Sequence, residues 1–148
     1  MRRALLSVLC VCSVGLALAV SASAADKEAK GQDETPFAYV TVAGAPGDGG
    51  QSLTKALNDQ LLAAGVKQAP AEATKVFEIE GIVRIEDAKG GKQSIQIPWI
   101  VFDPEGNTLG HVSQTKIIRK GTLDKKWGPA ANAAASAAVD GIVKLLPR

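Results

Sequence analysis

Apolar and polar residues change their spacing along this chain, and the changes divide it into elements. Phe37 to Val42 is apolar and rich in Tyr, Val and Thr, which reads as a short strand, and it ends at the turn formers Gly44-Ala45-Pro46-Gly47-Asp48-Gly49-Gly50. The period then becomes helical, with Leu53, Ala56, Leu57, Gln60, Leu61 and Ala64 recurring at i, i+3 and i+4. Ser52 stands where an N-cap hydroxyl accepts a backbone N–H, and Gly65 offers a C-terminal stop. Residues 76–86 alternate: Phe77, Ile79, Gly81, Val83 and Ile85 fall on one face, Glu78, Glu80, Arg84 and Glu86 on the other.

Lys89-Gly90-Gly91-Lys92 suits a tight turn, after which Ile95, Ile97, Trp99 and Val101 alternate on the next strand. Pro98 has no N–H for a ladder, so an edge or a bulge is expected there. Asp103-Pro104-Glu105-Gly106 suits a type I turn followed by a glycine, and residues 108–118 return as a third strand. A polar loop over 119–128 leads to Pro129, placed where the first turn of a helix tolerates it. Ala135, Ala138, Val139, Ile142, Val143 and Leu146 then form an apolar stripe, and its alanines read as close packing on a sheet. The expected order is β-α-β-β-β-α: an α+β domain over 36–148, with a mostly antiparallel four-stranded sheet and two helices packed on one face.

The residues before this domain change the reading of composition. The full chain of 148 residues has a formal net charge of +2. Residues 1–24 hold two of the 17 basic residues, Arg2 and Arg3, and none of the 15 acidic ones, so 15 of each sign remain in 25–148. Arg2-Arg3, an uncharged apolar run from Ala4 to Val20 and the small tripeptide Ala22-Ser23-Ala24 have the three parts of a secretory signal, with cleavage expected near Ala24 or Ala25. Residues 25–35 are small, polar or charged and read as a flexible leader. Periplasmic export follows, with no stable membrane span after cleavage.

Both cysteines, Cys10 and Cys12, lie in the signal, so no disulfide is expected in the exported chain. Neither is preceded by the Leu-(Ala/Ser)-(Gly/Ala) of a lipobox, and a free, soluble product is expected.

Candidate chemistry is sparse. A Walker A loop starting at Gly44 would need Lys at 50 and Ser or Thr at 51, where the chain has Gly50 and Gln51. A dinucleotide fingerprint through Gly47 and Gly49 fails at Ser52. Ser52-Leu53-Thr54-Lys55 has the spacing of a serine acyl-enzyme motif without its partner motifs. His111, the one histidine, shares parity with Leu109 and reads as partly buried and hydrogen-bonded, since one imidazole falls short of a metal set. Glu78, Glu80, Glu86 and Asp87 read as a solvated sheet face. No catalytic residue, metal or cofactor is assigned.

One local basic patch remains, Arg119, Lys120, Lys125 and Lys126 beside Trp127, and these five residues form the candidate interface, with the indole either an exposed anchor or packed against the start of the last helix. Zero net charge after the signal and few aromatics argue against nucleic acid as the partner.

The helix "SLTKALNDQLLAAGV", the strand "VFEIEGIVRIE" and the turn "DPEGNTLG", in that order, resemble small bacterial envelope α/β domains. These include the amino-terminal domain of the Tol-Pal propeller protein, the penicillin-binding-protein activator lipoproteins and the curli secretion lipoprotein. The chain also resembles uncharacterised secreted alphaproteobacterial proteins. The resemblance spans residues 37–147 and implies a fold and an envelope setting, with no ligand or catalytic residue to carry over. The expected function is a non-catalytic periplasmic interaction module with an envelope protein or complex as partner. The alternative is a small-ligand carrier or auxiliary component of an envelope transport system, holding its ligand between the sheet and the helices.

Overall fold

The computed structural model describes residues 36–147, so the expected signal over 1–24 and leader over 25–35 lie outside the described residues. Eight elements follow: β1 (Phe37–Ala43), α1 (Gly49–Ala63), β2 (Lys67–Gln68), β3 (Val76–Ile82), β4 (Arg84–Ala88), β5 (Lys92–Phe102), β6 (Thr108–Arg119) and α2 (Gly128–Leu145). No helix among the described residues is long and apolar enough to cross a membrane.

The fold is α+β, but the sheet is six-stranded and mixed rather than four-stranded and mostly antiparallel. β1 runs parallel to β3, with Phe37 beside Val76 and Ala43 beside Ile82. A helix between two neighbouring strands carries the chain back to its starting end, so β1-α1-β3 is a crossover unit and its strands must be parallel. β2 pairs parallel to the outer side of β1 through Phe37 and Ala38. Two exposed residues leave no hydrophobic alternation, which is why the pattern misses this strand. The three longer returns form the expected antiparallel meander, β5 lying between β3 with β4 on one side and β6 on the other.

Residues 76–86, expected as one strand, are divided at Val83, and Pro98 is the cause. The pairs Gly81 with Trp99 and Arg84 with Gln96 share one register, so no residue is inserted between them. What lapses is the ladder opposite Pro98, where the imide has no N–H to give. Pro98 therefore occupies a central strand, with neither the edge nor the bulge expected of it; the irregularity of β5 lies further on, between Val101 and Phe102.

Both helices cover one face. The inward row Ala38, Val40, Ile79, Val83, Ile95, Ile97, Trp99 and Val101 joins Leu53, Leu57 and Leu61 of α1 and Ala135, Ala138 and Ile142 of α2 in one buried cluster. Gly81 sits directly across from Trp99, and a Cβ there would stand 2.5 Å from the indole, so the glycine makes room for the ring.

α1 begins at Gly49, earlier than the Ser52 cap expected, and Ser52 lies inside its first turn. Its exit is as expected: Gly65 has φ +88, its N–H meets Leu62 O, and the Val66 N–H reaches Leu61 O, a Schellman closure.

Candidate functional site

Two places are candidates, the glycine-rich loop before α1 and the flank where α2 meets β6. The loop is already occupied by the chain itself. Trp127 is 2% exposed, and its Nε1–H donates to Pro46 O at 3.0 Å and Leu123 O at 3.1 Å. Its backbone N–H donates to Asp48 Oδ1 at 2.8 Å, and the Asp48 N–H donates to Lys125 O at 3.0 Å. A Cβ on Gly49 would lie 2.5 Å from the indole, and one on Gly47, at φ +60, would lie 2.4 Å from Lys125 O. The glycines thus let two loops approach and admit the indole, and the Asp48 carboxylate is spent on the entrance of α2.

Of the two readings of Trp127, the structure has the packed one and not the exposed anchor: a large buried ring with its N–H satisfied at the start of α2. The basic members of the candidate interface, Arg119, Lys120, Lys125 and Lys126, are exposed. Lys120 Nζ pairs with Asp87 Oδ2 at 2.7 Å across the end of the sheet. The structure leaves a basic rim without its aromatic centre.

His111 is exposed on the uncovered face of β6, not partly buried. The inward row is even-numbered because Gly110 lies under Leu145 of α2, and Val112 lies under Gly141. Glycine at 110 hides that parity, and Leu109, 39% exposed, points the other way. Among the described residues no group of three or more His, Cys, Asp or Glu lies close enough to hold a metal ion.

The second place is open. Between the amino-terminal half of α2 and the carboxy-terminal half of β6 lies a cleft of about 290 Å³. Ile95 and Ile97 of β5 with Ile118 of β6 form its apolar base, and Leu123 and Trp127 close one end. The helical wall is Ala130, Ala133, Ala134 and Ala137. Gln114 crosses it, its Nε2 donating to Ala134 O at 2.9 Å, and Lys116 is the one charged residue in the lining.

The alanines of α2 are expected to pack tightly on the sheet. One row, Ala131, Ala135 and Ala138, does pack tightly and is buried. A second row, offset around the helix, has side chains too short to reach β6, and the space they leave is the cleft. The available signal was the width of the apolar arc, since 130, 133, 134 and 137 continue the i, i+3, i+4 spacing beyond the core stripe. Such a surface takes up apolar side chains or an apolar ligand, and one lysine at its edge offers a charge or a hydrogen bond.

No protein-family model matches the chain, and no curated protein does. Among solved structures, a PelC dodecamer from Paraburkholderia phytofirmans is 19% identical, covering 77% of this chain and 89% of that one, with a TM-score of 0.48. A minor lipoprotein from Acinetobacter baumannii is 12% identical over 74% of this chain and 91% of that one, at 0.46. A lipoprotein from Neisseria meningitidis is 12% identical over 74% and 99%, at 0.42. The families that the helix and hairpins resemble are not among these three.

Proposed function

We propose that this chain is a non-catalytic interaction module of the bacterial cell envelope that receives part of an envelope protein in the cleft between α2 and β6. The observation that carries the reading is that cleft: apolar and open, with Lys116 as the charged residue at its edge. An apolar base with a charged rim is the usual composition of a protein-docking surface. The export signature at the amino terminus supplies the compartment.

The test is a photo-reactive residue placed in living cells at Ala133, on the cleft wall, and in parallel at Gln51, on the exposed side of α1. The reading expects one envelope protein recovered from position 133, absent from 51, and lost when Lys116 is replaced by Glu. Equal recovery from both positions, or none from either, contradicts it.

The size and apolar lining of the same cleft favour a second reading, the small-ligand carrier, because ligand pockets begin at roughly 300 Å³. A thermal-shift screen with lipids, sugars and metals separates the two, since a ligand at about 100 times its dissociation constant stabilises by about 2.7 kcal/mol.

A further inference from the structure

The outer edge of β6 is a strand edge with a self-matching pattern. β6 is 12 residues long and, among the described residues, pairs only with β5. The Lys120 N–H donates to Gly91 O, which sets the alternation of the ladder: even-numbered residues of β6 turn their N–H and C=O toward β5. His111, Ser113, Thr115 and Ile117 therefore aim theirs outward, and their side chains lie on the sheet face that the helices leave open; Leu109 is the extra residue of a bulge between the pairs Val101 with Gly110 and Phe102 with Thr108. No proline and no further bulge blunts the edge from His111 to Ile117, although unpaired edges are ordinarily protected in such ways.

Two of the four large apolar side chains left exposed among the described residues lie on this one edge, Leu109 at 39% and Ile117 at 62%. They are equally distant from Ser113. We infer that β6 pairs with β6 of a second copy of this chain, antiparallel about a two-fold axis at Ser113. That register brings the bulged Leu109 beside Ile117 of the second copy, and the symmetry repeats the contact. His111 then faces Thr115, Val112 faces Gln114 and Gly110 faces Lys116, so no two like charges stand opposed. Moving the centre to Val112 or Gln114 separates Leu109 from Ile117.

His111, Ser113 and Thr115 exchange about six main-chain hydrogen bonds with the second copy, two for each facing pair. An antiparallel two-fold pairing in one sheet requires the axis to be perpendicular to the sheet. The helices of both copies therefore lie on the same face, and the two α2 clefts flank the axis on one surface. The pairing is independent of the docking reading: it rests on the outer edge and the open face, and it stands or falls whether or not the cleft receives a partner.

Sedimentation velocity of the exported chain over a range of concentrations tests it. A reversible monomer–dimer equilibrium is expected, weakened about tenfold by Leu109→Lys and by Ile117→Glu, because each variant breaks two symmetric cross-strand pairs. The double variant Leu109→Lys/Ile117→Glu sets the introduced ammonium of one copy opposite the introduced carboxylate of the other and recovers most of the loss. Ser113→Pro removes an N–H that the fold does not use, and abolishes the dimer with an unchanged circular dichroism spectrum. A wild-type chain that stays monomeric to its solubility limit overturns the inference. So does an oligomer indifferent to Leu109 and Ile117, or a double variant weaker than either single one.

Discussion

Trp99 and Trp127 are both buried, and each fills space left by a glycine, Gly81 for one and Gly49 for the other. They differ in what their ring nitrogens meet. The Trp127 N–H is shared between two carbonyl oxygens, whereas the Trp99 Nε1 is buried with no partner among the described residues. The difference follows from the surroundings. Around Trp99 the main-chain groups of β3, β5 and β6 are committed to ladders, leaving no carbonyl for the indole. Around Trp127 two loops meet, and Leu123 O needs a donor that no ladder supplies, while Pro46 O also accepts from the Gly49 N–H at 3.1 Å. One tryptophan is apolar bulk for the centre of the sheet; the other is the clasp that holds the glycine-rich loop to the start of α2.

Replacing either ring by Ala breaks the comparison most severely, with a loss of about 3–5 kcal/mol each in urea unfolding, read as a lower midpoint at constant m-value. Trp127→Ala should be the worse of the two, since it also strands the Leu123 carbonyl. Next in size are Gly49→Ala and Gly81→Ala, each forcing a methyl to within 2.5 Å of an indole, at about 1–3 kcal/mol.

The sharpest contrast is the change to Phe, which keeps a ring and removes the N–H. Trp127→Phe should cost about 1–2 kcal/mol more than Trp99→Phe, because only the former orphans an acceptor, Leu123 O, while the latter removes an unpaired donor. Equal costs would mean that the clasp is packing alone. Asp48→Ala removes the acceptor of the Trp127 backbone N–H and should cost about 1 kcal/mol by the same measurement.

The smallest effect lies at the far hairpin. The Asn107 side-chain amide, helped by the N–H groups of Asn107, Glu105 and Gly106, holds the Asp103 carboxyl below its ordinary range. A depressed folded-state value means that the contribution is present above the unfolded pKa and is lost as pH falls through the folded one. Asn107→Ala should raise the Asp103 midpoint in an NMR titration and leave Trp99 and Trp127 undisturbed.

Much of the fold was legible because two-residue alternation and helical spacing are strong where one face is dry and the other wet. The rows through Ile79 and Val83 and through Ile95 to Val101 emerged with the correct faces, as did both helices. Direction was not legible: nothing in Phe37 to Ala43 says parallel, because that is set by where α1 returns the chain. Pro98 misled because a proline is read as an edge, while a sheet can instead omit one rung. His111 misled because its inward neighbours include Gly110, which has no side chain to betray the buried face. The clasp was hidden because a glycine loop and a tryptophan 79 residues apart share no local pattern. The cleft was hidden because an alanine that packs and an alanine that leaves a gap are the same letter.

The glycine-loop end is thus closed by its own chain, and the β6 flank is open; placing interaction at β6 is the central claim. Residue-resolved amide hydrogen exchange at two protein concentrations tests it most directly. At low concentration the Trp127 indole and backbone N–H groups should be protected, and so should the even-numbered amides of β6 from Val112 to Ile118. The odd-numbered amides His111, Ser113, Thr115 and Ile117 should exchange rapidly, then gain protection as concentration rises. Odd-numbered amides that are protected at every dilution, or that never gain protection while the Trp127 clasp exchanges freely, would contradict the account.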